Sequence, residues 1–322
     1  MIKGKKLIDL HVHLDGSLSF FMARHLAAMQ HMDQKTDAAL KDLLVVPEDC
    51  PDLNAYLTKF QYPSQLLQRE EALTWSVCEL LRLQESQGLV YSEIRFAPQL
   101  HTKLGLSQRQ VVGAAVRGLE AFQKLSSGQG MDAGLILCCM RGNANKKENM
   151  ETVAAAAEYL GKGVVALDLA GAEGLFPTER FEDVFKIASK YDIPFTIHAG
   201  EADGPRSIWK ALEFGAERIG HGVRCIEDPV LVRRIAADKI PLELCPTSNM
   251  NTKIFKNITD YPLRCFLEEG IKATINTDNM TVSGVTVESE LELMEKTFDL
   301  KDDEIETLLQ NSRDAVFDRQ GE

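Results

Sequence analysis

Short apolar runs recur along the chain, and each closes on polar residues. Eight stand out: Lys6–His13, Leu89–Ala97, Met131–Met140, Gly163–Leu169, Ile193–His198, Arg218–Gly220, Ile240–Leu244 and Lys272–Asn276. Their length and residue types read as strands. Most are separated by stretches of helical pattern. Ser107–Leu125 and Lys147–Leu160 are rich in Ala, Leu, Glu and Lys, and Phe181–Tyr191 carries apolar residues at helical spacing until Pro194 stops it. Eight such alternations predict an α/β chain of parallel strands with crossover helices, a (β/α)₈ TIM barrel. A doubly wound open sheet is the alternative, but it needs a glycine-rich phosphate turn after an early strand, and the sequence has none. The 322 residues therefore read as one barrel domain, 1–322, rather than two ordinary domains.

One interval is too long. Residues 14 to 88 separate the first two strands, where one eighth of a typical barrel needs about 30. The pattern there predicts helices over Phe20 to about His31, Asp37–Leu44, Asp52–Phe60 and Gln65–Gln87. Helices inserted right after the first strand lie over the C-terminal mouth, where barrel active sites are built. They read as a lid, or as an insertion with no function.

Composition narrows the partners. The hydrophobic share of 44% is ordinary for a globular chain, and the net charge of −12 repels phosphate backbones and anionic membranes. Nucleic acid and membrane are not expected partners. No apolar run approaches a membrane span, and the N-terminus lacks a signal-peptide pattern. Seven scattered cysteines without a C-x-x-C pair suit a reducing cytoplasm. Cys138–Cys139 sit in an apolar run and read as core. The oligomeric state is left open.

The chemistry collects at strand ends. His11-Val12-His13 closes the first run, and alternation along a strand turns both imidazoles to one face. Alone, His-x-His is a weak signal, but the fifth run ends Thr196-Ile197-His198-Ala199-Gly200-Glu201, the sixth Gly220-His221-Gly222 and the eighth Asn276-Thr277-Asp278-Asn279. Four of the seven histidines thus stand where barrel strands converge. Imidazole and carboxylate are the ligands of a catalytic zinc, which keeps one position for water. Asp278 and His221 suit the base and the orienting partner of that water. Glu201, in a partly apolar pocket, would stay protonated and act as an acid. His25, His31 and His101 lie away from strand ends and read as surface residues.

Taken together, His11-Val12-His13-Leu14-Asp15-Gly16-Ser17-Leu18, His198-Ala199-Gly200-Glu201, Gly220-His221-Gly222, Cys245-Pro246-Thr247-Ser248-Asn249 and Asn276-Thr277-Asp278-Asn279 resemble the adenosine deaminases of the metal-dependent amidohydrolase superfamily, in that family's order, from residue 7 to about residue 318. The resemblance implies one Zn²⁺ per chain, held by His11, His13, His198 and Asp278. It implies that Asp278 and His221 activate the water, that Glu201 protonates the purine ring nitrogen, and that ammonia leaves. It further implies that the backbone of Gly171 meets another ring nitrogen, and that Asp15 binds the ribose 5′-hydroxyl beside His13. Asn279 would meet the purine imidazole edge, and Leu57 and Phe60 would cover the base. The substrate is then a small nucleoside, adenosine or 2′-deoxyadenosine.

Three departures from the family pattern stand out. Many members carry Asp where this chain has Asn279, although a bacterial branch shares the Asn, which can both donate and accept. Ala172 replaces an Asp. Beyond Phe60 the likeness of the covering helix fades, so Leu57 and Phe60 could equally be core residues. The competing readings are also distinguishable. Adenine and aminofutalosine deaminases typically read His-x-His-Leu-Glu-Gly, and nucleotide-acting relatives carry Asn where this chain has Asp15. Binuclear relatives use a modified Lys in strand four, whereas Val165-Ala166-Leu167-Asp168-Leu169 has none. The cytidine-type zinc signature is absent. A barrel that binds without catalysis should show a gap among the ligands, acid or base, and none is missing.

Overall fold

The computed structural model describes residues 2–125 and 130–317. Among them are eight parallel strands: β1 (Leu7–His13), β2 (Leu89–Phe96), β3 (Asp132–Met140), β4 (Val164–Ala170), β5 (Thr196–Ala199), β6 (Arg218–His221), β7 (Leu242–Leu244) and β8 (Ala273–Ile275). Hydrogen bonds join them as two four-stranded sheets, β1 to β4 and β5 to β8. Single bridges at Leu167–Phe195 and Val12–Asp278 close the two seams into the expected barrel. At the second seam Asp278 N donates to His11 O and His13 N donates to Asp278 O, each at 2.7 Å. Closing the barrel therefore places a carboxylate beside two imidazoles.

Alternation along the strands divides apolar from polar. Val12, Ile94, Leu167, Ile197 and Leu244 are buried in the main hydrophobic cluster. Their strand neighbours His11, Glu93, Arg95, Asp168, His198 and Glu243 are equally buried. A barrel interior is usually filled by branched apolar side chains; here charged groups take much of that space.

Several element boundaries differ from expectation. β5 starts at Thr196 rather than Ile193, because Pro194 lacks an N–H and only its carbonyl pairs, accepting from Leu167 N. Between β1 and β2 come the helices Phe20–Met29, Asp37–Leu44, Leu53–Leu57 and Gln61–Leu66, with a 3₁₀ turn at Thr58–Phe60, and of these Leu53, Tyr56, Leu57 and Phe60 face the mouth. Thr36 and Asp52 cap the second and third by accepting from Ala39 N and Ala55 N. The single helix expected over Gln65–Gln87 is broken: it stops at Leu66 and restarts as Glu70–Ser86. Gln68, buried in the break, donates to Leu100 O at 2.8 Å and accepts from Lys103 N at 2.9 Å. Those bonds compete with a continuous helix. The restarted helix packs on β2 and on Gln108–Leu125 as an ordinary barrel helix.

The surface assignment of His101 is corrected. The 3₁₀ turn Pro98–His101 folds its ring inside, 6.1 Å from that of Phe96, and burial lowers its pKa to about 4. His25 and His31 are exposed.

Glu290, on the helix Val287–Phe298, is buried and accepts from Thr247 N at 3.0 Å. Burial pushes its pKa to about 7 although the bonds from Thr247 oppose the rise. A carboxyl raised in this way contributes stability fully below its unfolded pKa, and loses that contribution as pH climbs through the folded value. Between about pH 5 and pH 8, urea unfolding of the native chain should therefore lose up to about 3 kcal/mol from this group. Glu290→Gln keeps an acceptor without the charge, and its stability should be flatter over that range. Identical profiles for the two proteins would dismiss the buried charge.

Candidate active site

At the C-terminal mouth four imidazoles and a carboxylate converge. His11 Nε2 lies 3.1 Å from His198 Nε2 and 3.5 Å from Asp278 Oδ1. His13 Nε2 lies 3.2 Å from His198 Nε2 and 3.4 Å from Asp278 Oδ1. Four donors each about 2.0–2.2 Å from one tetrahedral ion sit about 3.3–3.6 Å apart, so the spacing fits a single metal. His221 joins the group: His11, His198, His221 and Asp278 place ligand atoms within 4.8 Å of one another.

The tautomers point the same way. His11 Nδ1 is 2.7 Å from Glu243 Oε2, and His198 Nδ1 is 2.8 Å from Asp168 Oδ2. With each Nδ1 proton held by a carboxylate, the two Nε2 atoms face each other lone pair to lone pair. A cation between them removes that repulsion. Burial lowers the pKa of His13 and of His198 and favours their neutral, ligating forms.

Beneath the cluster the barrel interior is an ion network. Arg95 reaches Asp168 Oδ2 at 3.0 Å and Glu243 Oε2 at 2.9 Å; Arg218 reaches Glu243 Oε1 at 2.7 Å and Glu93 Oε2 at 2.5 Å. Burial opposes charge on Asp168 and Glu243, yet His198 and Arg95 for the first, and Arg95 and Arg218 for the second, hold both pKa values below the usual range. The carboxylates that orient two imidazoles are thus themselves clamped by one guanidinium.

Asp278 and His221 both adopt positive φ, 57° and 58°, a conformation uncommon outside glycine and concentrated at functional sites. Ser248 Oγ donates to Asp278 Oδ2 at 2.5 Å. Tyr261 OH donates to Asn249 Oδ1 at 3.1 Å, which turns Asn249 Nδ2 toward His221 Nδ1 at 3.0 Å. His221 Nδ1 is then an acceptor, so the neutral ring carries its proton on Nε2. That Nε2 lies 3.7 Å from Glu201 Oε2. Burial first, then the charges of Asp278 and Glu173, raise the Glu201 pKa well above the usual range. Gly220 is required by packing: a Cβ there would stand 3.1 Å from His198 Cα and 3.2 Å from His11 Cε1.

A cavity of about 310 Å³ opens onto the cluster, within the range of small-molecule sites. His13, Asp15, Gly171, Glu201, His221, Asp278 and Asn279 line it, and Leu57 and Phe60 form part of its cover. Every residue proposed from the sequence for substrate contact therefore faces one space. Cys138, expected in the core, is buried and also lines that space. Asp15 is buried at its wall, and burial lifts its pKa to about 6.

The family model described as adenosine deaminase matches residues 6–320. The chain belongs to the adenosine deaminase family. It is 49% identical to the adenosine deaminase of Haemophilus ducreyi over 97% of this chain and 91% of that protein. It is 37% identical to the adenosine deaminase of Enterococcus faecalis over 96% and 91%. Among solved structures, the adenine deaminase of Arthrobacter aurescens superposes with TM-score 0.87 at 25% identity, covering 98% of this chain and 94% of that one. An amidohydrolase from Burkholderia ambifaria with bound Zn shares the fold at TM-score 0.88 and 21% identity, covering 98% and 86%. Among the described residues no helix is long and apolar enough to cross a membrane.

Sequence reasoning about this adenosine deaminase family member missed the residues behind the donors: Arg95, Arg218, Glu93, Glu243 and Glu173. A signal was present for four of them. They are charges inside runs already read as strands, and a charge in a buried strand must be paired.

Proposed function

We propose that the chain hydrolyses adenosine and 2′-deoxyadenosine to the corresponding inosines and ammonia, using one zinc ion held by His11, His13, His198 and Asp278. The observation that carries this reading is that a single cavity is lined by the donor cluster, by Glu201 and by Asp15. When bound, the ion would lower the pKa of water from 15.7 to roughly 7.

The protein's own residues supply the rest. Glu201 keeps its proton at neutral pH and gives it to the ring nitrogen beside the amine-bearing carbon. Asp278, held by Ser248 and ionised, accepts the proton of the attacking water. His221, the orienting partner of the water, donates from Nε2 and stabilises charge on the attacking oxygen. The N–H of Gly171 meets a second ring nitrogen, and Asn279 meets the imidazole edge. Leu57 and Phe60 exclude water from the face of the base. Asp15 accepts from the ribose 5′-hydroxyl and repels a 5′-phosphate, which makes a nucleotide a poor guest. The partner is a small nucleoside, neither nucleic acid nor membrane, and the compartment is the cytoplasm.

Adenine is the second candidate, because a neighbour of similar fold is an adenine deaminase. Asp15 separates the two. A hydrogen bond to a charged group contributes about 1.5–3 kcal/mol. Asp15→Ala should then lower kcat/KM for adenosine by about 10-fold or more and leave that for adenine nearly unchanged. An equal loss on both substrates would sink the ribose assignment.

A further inference from the structure

Glu173 lies two residues beyond Gly171, in the turn that follows β4, and its one part in the chemistry above is the charge it adds near Glu201. It is 1% exposed. Its Oε1 accepts from Gly200 N at 2.7 Å and from Ser207 Oγ. Its Oε2 accepts from Glu201 N at 3.0 Å, Ala202 N at 2.8 Å and Asp203 N at 2.9 Å. Four consecutive backbone N–H groups and one hydroxyl thus close on a single carboxylate. Successive N–H groups turned to one point form an anion-binding concavity, and the anion here is the protein's own side chain.

The polarity of the surrounding bonds is consistent. Arg141 Nη2 donates to Thr178 Oγ1 at 2.9 Å, Thr178 and Ser207 hydroxyls are 2.7 Å apart, and Ser207 passes its proton side to Glu173. Arg141 also donates to His198 O. One chain of hydrogen bonds therefore joins the ends of β3, β4 and β5. The loop it grips is the one that carries Glu201 out of β5, through Gly200 at φ 72°, into the helix Pro205–Phe214. Glu201 has a buried side chain whose carboxyl meets His221 Nε2 at 3.7 Å and Thr252, and whether it reaches them is set by the backbone that carries it.

We propose that Glu173 is the positioning residue of the proton donor: it clamps the backbone of 200–203 so that the Glu201 carboxyl is delivered into the cavity beside His221. The inference rests on the reading of Glu201 as acid. Only a carboxylate does this work. It offers two acceptor oxygens to five donors, whereas a glutamine would turn an N–H group onto two or three of them. A displacement of about 1 Å in a reacting group can cost about 10²-fold in rate.

The test is a double-mutant cycle on the zinc-loaded protein with adenosine as substrate. Glu173→Gln is expected to lower kcat by about 10- to 100-fold, with KM within about 2-fold and zinc content per chain unchanged. Amide hydrogen exchange at 200–203 should accelerate while β1 and β8 stay protected. Placed on Glu201→Gln, the same change should cost less than about 2-fold further, because it acts only through Glu201. Ser207→Ala, which removes one donor and leaves the carboxylate, is the gentler variant. It should lower kcat a few-fold, with the same loss of effect in the Glu201→Gln background. A loss of equal size in both backgrounds overturns the proposal and leaves Glu201 as acid. Unchanged exchange at 200–203 with unchanged kcat also overturns it. A Glu201→Gln protein with the native rate would instead overturn the acid assignment, and the clamp's purpose with it.

Discussion

Glu201→Gln should lower kcat by about 10²–10⁴-fold, the usual contribution of a positioned general acid, while metal binding and folding persist. Glu201 is 4% exposed and lines the cavity beside His221 and Asp278. Burial and the nearby charges of Asp278 and Glu173 push its pKa well above the usual carboxylate range and so favour the protonated form. Glutamine preserves the shape and can donate a hydrogen bond, but it cannot hand over a proton. The rate of the native protein should also fall as pH rises through the raised pKa of Glu201, and the variant should lack that limb. Steady-state kinetics, with zinc content measured on the same samples, decides the point. A variant within about 3-fold of the native kcat would remove Glu201 from the chemistry.

Arg95→Met should be the most damaging single change to the barrel interior. Arg95 is fully buried and spans Asp168 and Glu243, and it also donates to Leu10 O at 2.6 Å. Methionine leaves two buried carboxylates without their shared counter-charge. Breaking a buried pair by removing one partner typically costs about 3–5 kcal/mol. The same carboxylates orient His198 and His11, and loss of such support typically weakens metal binding about 10–100-fold. Urea denaturation of the metal-free protein reads the first effect, and chelator competition reads the second. A variant as stable as the native chain, with equal zinc retention, would show that the network neither stabilises the barrel nor orients the ligands.

The eight-strand pattern was legible because outward-facing residues such as Val12, Ile94, Leu167 and Ile197 alternate with inward ones. The donors were legible because His11, His13, His198, His221 and Asp278 all fall at strand ends, and strand ends of a barrel meet. What local pattern cannot express is pairing across the barrel. Arg95 and Glu243 are 148 residues apart in sequence, and nothing near either names the other. Glu173 was hidden for the same reason, since its partners are the backbone of a loop 27 to 30 residues away. The break at Leu67–Arg69 was missed because it is made by Gln68 reaching Leu100 and Lys103, a tertiary contact in a segment of sound helical pattern. His101 looked like a surface residue because a lone polar residue in a loop usually is one, whereas a short 3₁₀ turn folds it inward.

On the proposed reading, a free nucleoside fills the cavity and its purine is deaminated there. The most direct test follows ultraviolet absorbance while zinc-loaded protein is offered adenosine, 2′-deoxyadenosine, adenine, AMP and aminofutalosine in turn. Adenosine and 2′-deoxyadenosine should turn over efficiently, adenine weakly, and AMP little or not at all. Turnover of adenine in preference to adenosine would contradict that reading.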